Sequence, residues 1–175
     1  MRLSFVFAVL LSSHLSGQAL SFGFRAGIPL VPALAGGAAG MPATFGPSVE
    51  LRLWRGAGVA GDFLLRRATV AGGSEAMWRW DAPVTAVYRF PGPVRPFVRA
   101  GVAFNRVFKG ASLGELRHAG TSGFVAGAGV RILVAGLRLD PEVRFTRWRD
   151  RNFGTRDSAV RSNLSDVALM LGISF

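Results

Sequence analysis

The chain has no cysteine in 175 residues, which excludes disulfide staples and thiolate metal sites. Lysine is almost missing too: Lys109 is the one lysine among 21 basic residues, and the others are arginine. Histidine occurs only as His14 and His118, too few for a multi-histidine metal site. Past residue 19 there is no run suited to a membrane-spanning helix. The longest uncharged stretch, Ala26 to Val49, carries Pro29, Pro32, Pro42, Pro47 and five glycines. A bilayer helix needs about 20 consecutive apolar residues without such breakers. Gly36-Gly37-Ala38-Ala39-Gly40 lacks the lysine and following helix of a phosphate loop and reads as a surface loop. No cofactor or metal is expected.

The first 19 residues have the order of a secretory signal: Arg2, the apolar stretch Leu3 to Leu11, then small and polar residues ending Ser16-Gly17-Gln18-Ala19. Cleavage after Ala19 removes His14 and leaves residues 20–175 as a single domain. That domain keeps twice as many basic as acidic residues. A basic excess suggests nucleic acid, but export and the single-residue scatter of the arginines argue against that partner. Half the residues are hydrophobic, and with no spanning helix they must be used in β-structure.

Period-two alternation marks eight strands, near 21–30, 43–54, 58–69, 76–90, 96–108, 122–134, 137–148 and 164–175. Short connections (55–57, 91–95 and 135–136) alternate with long ones (31–42, 70–75, 109–121 and 149–163). One face collects residues such as Phe22, Phe24, Val49, Leu51, Phe63, Trp78, Trp80, Val98, Phe124, Val143 and Phe145. The other collects Arg25, Glu50, Arg52, Asp62, Arg66, Arg79, Asp81, Arg89, Arg99, Asn105, Arg131, Arg138, Asp140, Glu142, Arg144 and Asp166. A soluble barrel would turn the apolar set inward and a small membrane barrel the charged set, so alternation alone is symmetric between them.

Three features favour charges inside. Aromatics gather at the two ends of the apolar face, Phe22, Tyr88, Phe90 and Phe175 at the short turns and Trp78, Trp80, Phe104, Phe108 and Phe124 toward the loops, like interfacial girdles. The charged face carries both signs, as enclosed charges require. Its cations are arginines, whose planar fork binds carboxylates bidentately in confined space. With Ala135-Gly136 as a two-residue turn, Arg131 faces Asp140 across the ladder, an expected ion pair in the lumen. Arg52 with Asp62 is a looser expectation, because the turn between their strands could hold a bulge.

These strands, with Phe22-Gly23-Phe24-Arg25-Ala26-Gly27-Ile28-Pro29-Leu30, Val49-Glu50-Leu51-Arg52-Leu53-Trp54, Pro96-Phe97-Val98-Arg99-Ala100-Gly101-Val102 and the final Gly172-Ile173-Ser174-Phe175, resemble the small eight-stranded outer-membrane barrels of the OmpA and OmpX type. The resemblance implies an all-β, eight-stranded antiparallel up-and-down transmembrane barrel in the outer membrane, with both termini periplasmic. It also implies that Phe175 serves as the barrel-insertion signal read by the barrel-assembly machinery. A peptidoglycan-binding domain after the barrel is not expected.

Chemistry has one candidate, His118 near Thr121 and Ser122 with Glu115 as an orienting acid. A hydrolase would need these groups in hydrogen-bond reach. All sit in or beside one loop, and a solvated loop histidine is the expected reading, so no enzyme is expected. Arg67, Arg106, Lys109, Arg147, Arg149 and Arg151 fall near the long loops, where they could pair with lipopolysaccharide phosphates. The expected function is a non-enzymatic barrel for envelope integrity or surface contact, its lumen plugged by Arg–Asp/Glu pairs. A narrow ion-conducting pore is the alternative. An adhesin, a lipid-A-modifying enzyme and a soluble lipocalin-like barrel stand further back.

Overall fold

The structure is a computed structural model and describes residues 20–31, 34–35, 43–69, 76–109, 118–134, 136–152 and 161–175. The signal-peptide reading of 1–19 lies outside them. The strands in chain order are β1 (Leu20–Pro29), β2 (Leu34–Ala35), β3 (Thr44–Trp54), β4 (Ala57–Asp62), β5 (Leu64–Thr69), β6 (Ala76–Arg89), β7 (Arg95–Lys109), β8 (Gly120–Val134), β9 (Leu137–Trp148), β10 (Arg161–Ser162) and β11 (Ser165–Ser174). Each long strand pairs antiparallel with its chain neighbour. β1 pairs with both β3 and β11, with Phe24 opposite Ile173 and Phe22 opposite Val49. The sheet is therefore a closed barrel of eight staves, with β4 and β5 as two halves of one. Closure removes the exposed edges that an open sheet would present. Outside it, β2 pairs with β10 in a short ribbon joining two long connections on the loop side.

The break between β4 and β5 has a chemical cause. The register runs unshifted through it, with Ser48 opposite Asp62 and Phe45 opposite Leu65. Pro47 therefore lies opposite Phe63, and Pro83 of β6 opposite Asp62 by the same count on the other side. Neither proline has an N–H to give the ladder. Phe63 N still donates to Pro47 O at 2.9 Å, so the stave is continuous.

Alternation then sorts the residues into two surfaces. Phe24, Val49, Leu51, Val84, Val102, Phe124, Val143, Leu169 and Leu171 are exposed, while Arg25, Glu50, Asp62, Arg79, Arg99, Arg131, Asp140, Glu142 and Arg144 are buried. The charged face lines the bore and the apolar face is outside, which overturns the soluble lipocalin-like alternative. Apolar side chains inside are few and form small groups: Ala60, Val87 and Phe97; Leu64, Ala168 and Met170; and Ala103, Val125 and Trp148.

Candidate functional site: the arginine–carboxylate bore

The inward charges fall into three tiers along the bore. On the turn side, Arg131 donates from Nε and Nη2 to the two oxygens of Asp140 at 2.7 and 2.6 Å. Its Nη2 also lies 3.4 Å from Glu50 Oε2, which accepts from Arg89 as well. The bidentate fork follows from register. Val134 faces Leu137 and Gly129 faces Glu142, which sets Arg131 directly opposite Asp140, both turned inward.

The middle tier sets three guanidiniums on two carboxylates. Glu142 accepts from Arg25 Nη1 at 2.6 Å and from Arg144 Nε at 2.8 Å. Asp62 lies 2.8 Å from Arg144 Nη2, 3.2 Å from Arg25 Nε and 3.5 Å from Arg99 Nη1. Arg99 Nε completes the ring 3.5 Å from Glu142. These side chains are no more than 5% exposed. Gly127 leaves them room: a Cβ there would stand 2.5 Å from Glu142 Oε1 and 3.2 Å from Arg99 Cγ. Arg25 Nη2, 3.9 Å from Asp140, links this tier to the one below.

Toward the loops, Arg66 donates to Asp166 at 2.5 Å and Arg79 to Asp81 at 2.9 Å. The Arg79 guanidinium lies 5.3 Å from the Trp148 ring centre. Above them sits a neutral hydrogen-bonded group. Asn152 is 3% exposed, and its Nδ2 donates to Asn105 Oδ1 at 3.0 Å and to the His118 carbonyl at 3.1 Å. Two voids within the bore, of about 10 and 30 Å³, lie among these tiers. A void of that size holds about one water molecule.

Arg52 and Asp62 are not brought together. The turn is Arg55-Gly56, one residue shorter than the expected 55–57, and Leu53 is an extra residue in β3 between the pairs Arg52–Gly58 and Trp54–Ala57. Asp62 therefore faces Ser48, four residues along its strand from Gly58, or about 13 Å at the usual strand rise. Arg52 instead reaches Glu50 at 3.9 Å. Asp62 takes its partners from β1, β7 and β9, strands that no local pattern in the sequence ties to it.

Of the loop-side cations, Arg67, Arg106, Arg147 and Arg149 are exposed and Arg151 is half-buried. Arg67 lies over Trp78, 5.9 Å from its ring centre, and Arg147 Nη1 donates to Ser165 Oγ at 2.6 Å. The Lys109 side chain lies outside the described residues. Arg147 and Arg149 border an outer groove of about 630 Å³ lined by Val102, Phe104, Phe124 and Leu164. The His118 ring contacts the Arg151 carbonyl at 3.2 Å through Nδ1, and Thr121 Oγ1 accepts from Asp150 N while donating to Ser122 O. These bonds do not join histidine to hydroxyl, and Glu115 lies outside the described residues.

No protein-family model matches the sequence, and no characterised protein matches it at the sequence level. Solved structures do match. Neisserial surface protein A is similar with a TM-score of 0.60 at 15% identity, over 89% of this chain and 94% of that one. The outer-membrane protein OprG from Pseudomonas aeruginosa gives 0.58 at 13% identity, over 89% and 94%. The N-terminal β-barrel domain of OprF from the same organism gives 0.51 at 17%, over 89% and 97%. The fold is that of the small eight-stranded outer-membrane barrels.

Proposed function

We propose that this barrel of the outer-membrane fold is a non-enzymatic envelope protein whose bore is filled by its own ion pairs. It sits in the outer membrane with both termini periplasmic, and outward arginines on its loop side hold lipopolysaccharide phosphates. The observation that carries the reading is the inversion of polarity. Exposed Phe, Val and Leu side chains clothe the wall, while among the described residues seven buried arginines and six buried carboxylates fill the interior. A bore of eight strands is just wide enough for side chains to fill, and here long charged ones compete for it. In planar bilayers the refolded protein is expected to give no steady unitary current. Reproducible single-channel steps would overturn the filled bore in favour of a narrow pore.

The lipid contact is supported by the groove beneath Arg147 and Arg149, which offers an apolar bed for an acyl chain next to two guanidiniums. Charge-assisted, bidentate bonds make arginine well suited to phosphate. Lipopolysaccharide is expected to raise the temperature at which the folded band converts on gels. Arg147→Ala with Arg149→Ala should remove most of that rise. An equal rise in the double variant would sink this part of the reading.

A further inference from the structure

The turn side of the barrel has a charge balance unlike the rest. Segments 51–58, 86–98, 130–139 and 171–175 hold Arg52, Arg55, Arg89, Arg95, Arg131 and Arg138 and no Asp or Glu. Five of these arginines (52, 55, 89, 95 and 131) line one open basin of about 520 Å³ at the rim, between the β3–β4 and β6–β7 turns. Glu50 and Asp140 do not line this basin, and although Glu50 Oε1 is itself without a hydrogen-bond partner, the two carboxylates leave donors over. Arg131 Nη1 and Arg89 Nε are buried without a hydrogen-bond partner. Arg55 and Arg95 at the edge are exposed.

Arg55 also occupies a backbone position that arginine rarely fills. Its φ is +35°, followed by Gly56 at +93°, the left-handed pair of a tight hairpin turn. Asn or Gly fits there at lower cost, because the left-handed conformation crowds the Cβ of an ordinary L-residue. Its guanidinium lies 5.1 Å from the centre of the Trp54 ring. The basin opens past Tyr88 and Phe90, exposed rings packed edge to face at 5.0 Å. Tyr88 is an amphipathic aromatic of the kind that marks the headgroup level of a bilayer.

The geometry points to a binding site for a phosphate-bearing anion in this basin, with Arg55 and Arg95 as its outer donors and Arg52, Arg89 and Arg131 as its floor. Several guanidinium forks converging beside too few carboxylates suit a multidentate oxyanion. Two sources offer that group at this level: a phospholipid headgroup of the adjacent leaflet, with its tails on the Tyr88 and Phe90 wall, or a soluble phosphate compound entering the mouth. The site is defined by its residues and holds whichever side of the membrane the turns face, so it can fail or stand independently of the envelope reading.

The test uses the protein refolded in a phosphate-free maltoside detergent. Calorimetry measures pyrophosphate binding. Native mass spectrometry counts retained phosphatidylglycerol against a glucosyl diacylglycerol of the same chains. Arg55→Ala with Arg95→Ala, shown to be folded by its heat-dependent gel shift, is expected to weaken binding at least tenfold. Asp150→Asn, exposed at the other end and outside both groups of arginines, should leave it unchanged. Retention of phosphatidylglycerol above the glucosyl lipid assigns the headgroup, and pyrophosphate binding without it assigns the soluble anion. Wild-type protein that binds neither, a turn-side double variant that binds like wild type, or equal loss in the Asp150 variant would overturn the site.

Discussion

The middle of the bore and its turn-side rim use the same side chain to opposite ends. Arg25, Arg99 and Arg144 are buried and each touches both Asp62 and Glu142. Arg55 and Arg95 are exposed at the edge of a basin. A guanidinium enclosed with a carboxylate is committed to that carboxylate, because leaving either ion alone in low dielectric is costly. At the rim water shares the load, and the same group stays available to a ligand. Burial and partner number, rather than residue type, divide the arginines locked in the middle tier from those open at the rim; Arg89 and Arg131 stand between, each bonded to a carboxylate and each with one N–H left over.

The buried tier is the more sensitive of the two. Glu142→Ala leaves Arg25, Arg99 and Arg144 with Asp62 as their main partner, and losing one member of a buried pair costs about 3–5 kcal/mol. Urea unfolding in lipid should show that loss, whereas Arg95→Ala at the rim should change stability by less than about 1 kcal/mol. A smaller effect is expected from Gly127→Val. Its side chain would press on Glu142 and Arg99, and overpacking costs about 1–3 kcal/mol; the same unfolding measurement reads it. The smallest effect has the opposite sign. Arg55→Asn relieves a left-handed arginine and should add up to about 1 kcal/mol of stability. It should also weaken pyrophosphate binding, so stability and binding part company at that residue.

The staves and their two faces were legible because alternation is local: Val143 and Arg144 declare opposite sides without reference to the rest of the chain. Arg131–Asp140 was legible for a related reason, since a two-residue turn fixes the register of its hairpin. Arg52–Asp62 failed on the same logic. The extra residue Leu53 and the shorter turn shift the count, and a bulge leaves little trace in sequence. The proline gap at Phe63 could have been found, because Pro47 and Pro83 are visible, but only once the register of three strands is known. The middle tier was out of reach. Arg25, Asp62, Arg99, Glu142 and Arg144 come from β1, β4, β7 and β9, and they meet across the bore only after the sheet has closed.

The unequal stoichiometry of that tier has a further physical result. Seven buried guanidiniums face six buried carboxylates among the described residues, and at mid-height the ratio is three to two. One positive charge is thus left inside a low-dielectric wall, where Coulomb energies are several-fold larger than in water. A cation crossing the bore would meet that repulsion on top of the steric obstruction, as fixed positive charges in selective pores turn cations away. The arginine surplus thus sets the sign of the field inside the bore.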